Sequence, residues 1–260
     1  MENGLLKIDD LILLIDDKKR RYLFTLEESG SFQTHAGVLE HHRIVGLPEG
    51  SKVSTTQGQR FRVFRPTLSD FVLSMPRGAQ VIYPKDLGPM LMLADITPGV
   101  KVLESGVGSG ALSMAMLRAG ATITGYELRE DFASRATKNV VSFLGENVLE
   151  RYKLEIRNCY DGIDEQNLDR IVLDLPEPWH VVPHTQKALR PGGIFLSYSP
   201  SITQSVKVSD ALQKAGFAEV GTSEVLNRSW NLNGKSVRPD HRMVAHTGFL
   251  TRGRLLEVGG

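Results

Sequence analysis

Beyond about residue 87, short apolar runs alternate with longer polar, helix-favouring stretches. Val100-Lys-Val-Leu-Glu104, Ala121-Thr-Ile-Thr-Gly-Tyr126, Tyr152-Lys-Leu-Glu-Ile-Arg157, residues 168–175 and Ile194-Phe-Leu-Ser-Tyr198 are bounded by Gly, Pro or Asp. Runs of this kind read as buried strands of a parallel sheet. The intervening stretches 111–119, 129–143, 180–189 and the one from Ser201 to the stop at Gly216 read as helices. Strands and helices alternating at this spacing predict an α/β fold with a doubly wound, mostly parallel sheet. Two further strands, 217–226 and 243–256, close the chain around a long loop.

The first residues follow another pattern. Leu11-Ile-Leu-Leu-Ile15, Arg21-Tyr-Leu-Phe-Thr25, Ser51-Lys-Val-Ser-Thr55 and Arg60-Phe-Arg-Val-Phe-Arg65 are short, β-rich and separated by turn residues. They predict a small β domain over 1–66. Residues 67–86 read as a linking helix, Leu68 to Ser74, then an extended segment whose Tyr83-Pro84 step disfavours helix. Asp86 is the expected cap of a helix over 87–95, and 87–260 is the expected catalytic domain. His35, His41 and His42, between the β runs, read as surface or core residues rather than ligands.

Two segments carry chemistry. Asp174-Leu-Pro-Glu-Pro-Trp179 follows an apolar strand. Proline cannot continue a ladder, so the strand stops and the carboxylate is left at the edge where α/β sheets bind ligands. Trp179 either walls a pocket or packs. Upstream, Ser105-Gly-Val-Gly-Ser-Gly110 joins a strand to a helix. Its glycines at 106, 108 and 110 permit close approach of a ligand to the backbone, and the helix start offers unpaired N–H groups. Glu127 ends the next strand, about twenty residues on, where an acidic side chain meets ribose hydroxyls. Gly106-x-Gly108-x-x-Ala111 also satisfies the relaxed dinucleotide fingerprint. Both S-adenosylmethionine (SAM) and NAD therefore stay open on the loop alone.

The bulk numbers narrow the class. The chain has 260 residues, enough to bury a core without staples. It has no apolar run long enough for a membrane span, and the opening Met-Glu-Asn-Gly does not resemble a signal peptide. Cys159 is the single cysteine, and no Cys/His spacing suggests a metal site. These features favour a cytoplasmic protein with no membrane and no metal. The net charge is only +1. From Val225 on, however, six basic residues (Arg228, Lys235, Arg238, Arg242, Arg252, Arg254) face two acidic ones (Asp240, Glu257). That stretch and Lys18-Lys-Arg-Arg21 are candidate phosphate contacts, or solvated faces.

Taken together, these segments resemble the tRNA (adenine-N1)-methyltransferases that modify adenine 58 of the T loop, most of all the bacterial and archaeal single-subunit enzymes. The resemblance rests on the β-rich start, Met75-Pro-Arg-Gly78, Gln80-Val-Ile-Tyr-Pro-Lys-Asp86, Val102 to Gly110, Tyr126-Glu127, Asp174 to Trp179, Ser201-Ile-Thr-Gln204 and His246-Thr-Gly-Phe-Leu250. It implies a Rossmann-like SAM-dependent methyltransferase fold closed by an antiparallel hairpin, tRNA as partner, and a homotetramer of paired dimers. It implies that Glu104 helps hold the amino-acid end of SAM. Gln80, Gly106, Gly108, Ser109, Gly110, Ala111, Glu127, Asn158, Cys159 and Asp174 are then the expected cofactor contacts. Asn158 stands where relatives often carry an acidic residue. Asp174 is the expected catalytic carboxylate, holding the exocyclic amine of a base turned out of the folded RNA. Tyr83 is expected to shape the base pocket opposite it. The rival functions are an NAD-dependent oxidoreductase and a non-catalytic RNA-binding protein on the same fold.

Overall fold

The computed structural model describes residues 4–78, 80–234 and 236–257. Ala79 of the extended segment, Lys235 of the basic stretch and the opening Met1-Glu2-Asn3 lie outside the described residues. The chain divides into two compact units, 1–75 and 76–260.

The first unit contains β1 (Leu11–Asp16), β2 (Arg21–Thr25), β3 (Ser31–Thr34), β4 (Gly37–Glu40), β5 (Lys52–Ser54), β6 (Arg60–Phe64) and α1 (Leu68–Ser74). The β1, β2, β5 and β6 strands form one antiparallel sheet in the order β2-β1-β6-β5, and β3 pairs with β4 as a separate hairpin. Faces left unassigned by sequence are clear here: Phe61 and Val63 are buried while Arg60 and Arg62 point outward. Phe32 packs edge-on against Phe61 and stacks on Phe24, so the hairpin completes an aromatic core. His41 is buried. It stacks on Phe24, and its Nδ1 accepts the Glu27 N–H at 3.0 Å, a packed histidine rather than a ligand. The Lys18–Arg21 turn is organised by Asp16, whose carboxylate accepts from the N–H groups of Lys18 and Arg20 and from the Arg20 guanidinium. Thr67 and Asp70 form a capping box that starts α1.

The second unit contains α2 (Pro84–Leu93), β7 (Lys101–Ser105), α3 (Ala111–Arg118), β8 (Thr122–Glu127), α4 (Glu130–Leu144), β9 (Tyr152–Ile156), β10 (Leu168–Leu173), α5 (Val182–Ala188), β11 (Leu189–Ser199), α6 (Ile202–Lys214), β12 (Phe217–Glu224), β13 (Trp230–Asn233), β14 (Ser236–Pro239) and β15 (Phe249–Leu255). Seven strands form one sheet in the order β12-β15-β11-β10-β7-β8-β9. Strands β9, β8, β7, β10 and β11 are parallel, and β15 runs antiparallel to both β11 and β12.

Two local readings need correction. The second unit's first helix begins at Pro84, not after Asp86. Proline at the first helical position loses no needed N–H, and Tyr83 before it is extended at ψ 148°. Asp86 therefore sits inside the first turn and caps nothing. The loop expected between the last two strands holds its own antiparallel hairpin, β13–β14, which turns after the Asn233–Ser236 pair.

Candidate active site

Strand order fixes where a ligand can sit. From β7 the chain moves outward to β8 and β9, then returns to lay β10 on the other side of β7. The crevice at such a switch point opens beyond the carboxyl ends of the strands. The glycine loop leaves β7 there, Glu127 ends β8, and Asp174 follows β10. The Asp174 N–H donates to the Ser105 carbonyl at 2.9 Å, and the Gly106 N–H to the Tyr126 carbonyl at 3.2 Å. Three strand ends are thus tied together.

Gly106 is required by this closeness. Its φ is +81°, and a Cβ there would lie 2.0 Å from the Asp174 carbonyl oxygen. Gly110 starts α3 at φ +83°, and a Cβ there would lie 3.3 Å from Ala136 of α4. It serves the contact between these helices.

A cavity of about 420 Å³ fills the crevice. Gln80, Gly106, Gly108, Glu127, Asn158, Cys159 and Asp174 line it, so most of the expected cofactor residues converge. Ser109 and Ala111 line a much smaller void beside it, which Gln80, Gly106 and Asp174 share. Glu104 and Gly110 line neither. Glu104 is placed differently from expectation: it is buried, its carboxyl accepts from Ser113 Oγ at 2.6 Å, and Tyr152 donates to the same hydroxyl at 3.0 Å. Strand alternation turns its side chain under α3 rather than into the cavity. Tyr83 lies in an adjoining hollow of about 370 Å³ with Arg77, Gly78 and Val81, and Gln80 belongs to both.

The cavity lining carries both carboxylates and guanidinium groups. Glu127 accepts from the N–H groups of Gly108 and Arg129, each at 3.0 Å, which leaves lone pairs free for a ligand. Asp174 keeps part of its surface open to the cavity. Desolvation, with Glu127 nearby, pushes its carboxyl up to about 7. Burial, despite the Ser113 hydrogen bond, pushes Glu104 up to about 8, with Asp174 and Glu127 adding repulsion. Two guanidinium groups also line the cavity, Arg129 stacked on Phe132 at 3.9 Å and Arg157 on Tyr126 at 4.9 Å.

Asn158 caps the turn after β9, accepting from the Tyr160 N–H at 3.1 Å, so its amide nitrogen keeps both donors. Cys159 is buried, and desolvation pushes its thiol up to about 11. That makes it filler rather than a nucleophile. Leu175, Pro176 and Glu177 wall the cavity. Trp179 does not line it: it packs on the core beneath α6, with Lys207 4.5 Å above its ring.

Several lining residues were not foreseen: Leu128, Arg129 and Phe132 after β8, and Arg157 and Tyr160 after β9. All follow carboxyl ends of parallel strands, and that rule was the available signal. Tyr198 of β11 was also missed. Leu173 pairs with Ser197, so Tyr198 falls one step on, beside Asp174. Burial, with Asp174, Asp86 and Tyr83 nearby, pushes its phenol up to about 12. Among the described residues no cluster of His, Cys, Asp and Glu could hold a metal ion, and no helix is long and apolar enough to cross a membrane.

Residues 61–247 match the family described as tRNA methyltransferase complex GCD14 subunit, and residues 4–53 match the family described as TrmI-like N-terminal. The tRNA (adenine(58)-N(1))-methyltransferase TrmI of Thermus thermophilus is 36% identical over 243 residues, covering 92% of this chain and 94% of that one. A SAM-dependent O-methyltransferase from Thermotoga maritima aligns with a TM-score of 0.91 at 30% identity, over 99% of this chain and 97% of that one. The tRNA (m1A58) methyltransferase TrmI from Aquifex aeolicus aligns with a TM-score of 0.84 at 28% identity, over 98% and 100%.

Proposed function

The chain belongs to the tRNA methyltransferase complex GCD14 subunit family, and on that footing we propose that it transfers a methyl group from SAM to N1 of adenine 58 in the T loop of tRNA. The observation that carries this reading is the carboxylate of Asp174, open to the same cavity as Glu127 and the glycine loop.

The residues present fit this cofactor. A volume of about 420 Å³ lies within the roughly 300–1,000 Å³ usual for small-molecule sites. Glu127, Asp174 and the buried Glu104 suit a ligand that carries a sulfonium and an ammonium. Ionised Asp174, beside the glycine loop, would repel the pyrophosphate of NAD, whereas Glu127 at the ribose position suits either cofactor. Glu127 holds ribose hydroxyls with its free lone pairs, and Asn158 and Gln80 supply amide contacts. Glu104 acts from beneath the loop, holding Ser113 and the start of α3. When bound, SAM supplies an electrophilic methyl group on sulfur.

Asp174 handles the acceptor. Its carboxylate accepts from the exocyclic N6–H of adenine, which orients the ring and leaves the N1 lone pair free to attack. Methylation leaves the ring cationic until N6 gives up a proton. The Asp174 carboxylate, ionised once the cofactor is bound, stabilises that charge and takes the proton. Tyr83 and Tyr198 flank the base. Labelled SAM incubated with bulk tRNA separates the readings: methyl transfer supports this one, and tRNA binding without transfer supports the non-catalytic rival.

Cofactor binding should release protons near neutral pH. A cation beside Asp174 favours its ionised form, so its pKa falls from about 7 on binding and the proton leaves. Glu104 moves the same way, and the two titrate as one set. Calorimetry in buffers of different ionisation enthalpy should show roughly half a proton or more released at pH 7. Net uptake, or none, would count against the assignment.

The acceptor is gripped electrostatically, in a groove shared between subunits of a homotetramer working in the cytoplasm. Arg228, Arg238 and Arg242 are exposed on the segment that carries β13–β14. Raising salt should weaken tRNA binding steeply, and charge reversal at Arg238 and Arg242 should flatten the log–log slope by about one for each phosphate left without its cation. Cofactor affinity should not change. An unaltered slope would make this stretch a solvated face.

A further inference from the structure

A buried polar cluster joins the first turn of α2 to both ends of the segment between β12 and β15. Lys85 is 7% exposed at its side chain and Asp86 is 0%. Lys85 Nζ donates to Asp86 Oδ1 at 2.8 Å, to the Val225 carbonyl at 2.6 Å and to Thr247 Oγ1 at 2.6 Å. Thr247 Oγ1 in turn donates to Asp86 Oδ2 at 2.6 Å, and its side chain lies near the Tyr198 phenol. One ammonium thus spends all its donors, and one hydroxyl bonds both members of the ion pair.

The geometry is specific about what it holds. Val225 and Thr247 are the two roots of an arm, 226–246, whose exposed residues include Arg228, Trp230, Leu232, Arg238 and Arg242. His246 pins the same root, lying 2.7 Å from Glu224 and 2.9 Å from the Pro200 carbonyl. On the other side of the cluster, Tyr83 caps α2, its carbonyl accepting from the N–H groups of Asp86 at 2.8 Å and Leu87 at 3.1 Å. The backbone position of Tyr83 is set by the turn that carries Lys85 and Asp86. Tyr198 is held from above as well, because a Cβ on Gly248 would lie 2.4 Å from its ring.

We propose that Lys85, Asp86 and Thr247 form a clasp that positions the methyl acceptor: it fixes the basic arm relative to Tyr83 and Tyr198, so that RNA docked on the arm presents its base to Asp174. The inference rests on the methyl-transfer reading above. The three are positioning residues, since their polar groups are spent on one another and none lines the cofactor cavity. Nothing else in the fold requires an ammonium here. A buried ion pair is a poor source of stability, whereas a directional one fixes geometry. A displacement of about 1 Å at a reacting centre costs on the order of a hundredfold in rate.

Thr247→Val keeps the shape and removes the hydroxyl, and Thr247→Ser restores it. Lys85→Met is the harsher companion variant, read only if it folds. The proposal expects Thr247→Val to lower kcat at saturating SAM at least tenfold, to raise KM for tRNA, and to keep SAM affinity within about twofold. Trypsin should cleave its arm at Arg228 and Arg242 several-fold faster than in the parent protein. Thr247→Ser should recover most of both properties. A kcat within twofold of the parent in Thr247→Val, or an arm no more readily cleaved, would overturn the clasp. If the parent protein itself transfers no methyl group to tRNA, the functional reading fails, and the cleavage comparison still decides whether the clasp holds the arm.

Discussion

Asp174→Ala should lower methyl transfer by a hundredfold or more while leaving the fold in place. The carboxylate stands at the end of β10, where its backbone N–H is already satisfied by Ser105. Truncating the side chain therefore leaves the strand's own hydrogen bonds intact. It removes the group that orients N6 and balances the charge on the methylated ring. Loss of one such positioned group typically costs about a hundredfold or more in rate. The variant should also be no less stable. A desolvated carboxyl pushed up to about 7 is a strained group, and its raised value means that it weighs against the fold as pH rises from the ordinary carboxylate range through 7. Turnover close to that of the parent would remove Asp174 from the mechanism.

Gly106→Ala should be far more damaging than Gly108→Ala, although both glycines belong to one loop and both have positive φ. A Cβ at 106 would lie 2.0 Å from the Asp174 carbonyl oxygen, which is backbone and cannot swing away, whereas a Cβ at 108 meets nothing closer than 4.0 Å. Left-handed strain alone costs about 1–2 kcal/mol. The clash adds about 1–3 kcal/mol as strand ends shift. We expect the free protein to be destabilised by about 2–5 kcal/mol at 106 against about 1–2 at 108, measured by denaturant unfolding, with SAM binding abolished in the former. Equal effects would mean that the loop does not close on Asp174 as described.

The parallel sheet, the switch-point crevice and the positions of Gly106, Glu127 and Asp174 were legible because each follows from strand periodicity and from residues that end a strand. Side-chain direction was less legible. Glu104 lies before the glycine loop as expected, but whether it faces the cavity or α3 depends on where the strand begins to turn. The start of α2 was missed because Tyr83-Pro84 reads equally as an extended step and as a cap followed by a first helical proline. The β13–β14 hairpin had a signal, Asn233-Gly234 between alternating Trp230, Leu232 and Val237, hidden in a stretch that reads first as a charged loop. The Lys85–Thr247 contact joins residues 162 apart in sequence, and no local pattern announces it.

The central claim is chemical: one adenine nitrogen in one loop of tRNA receives the methyl group. The direct measurement uses an unmodified tRNA transcript, labelled SAM and the purified protein, with the product nucleoside identified and its position mapped. The account predicts 1-methyladenosine at position 58, absent from a transcript with guanosine there and abolished by Asp174→Ala. Label on a ribose or another oxygen, on a different base, or in no RNA product at all would contradict it.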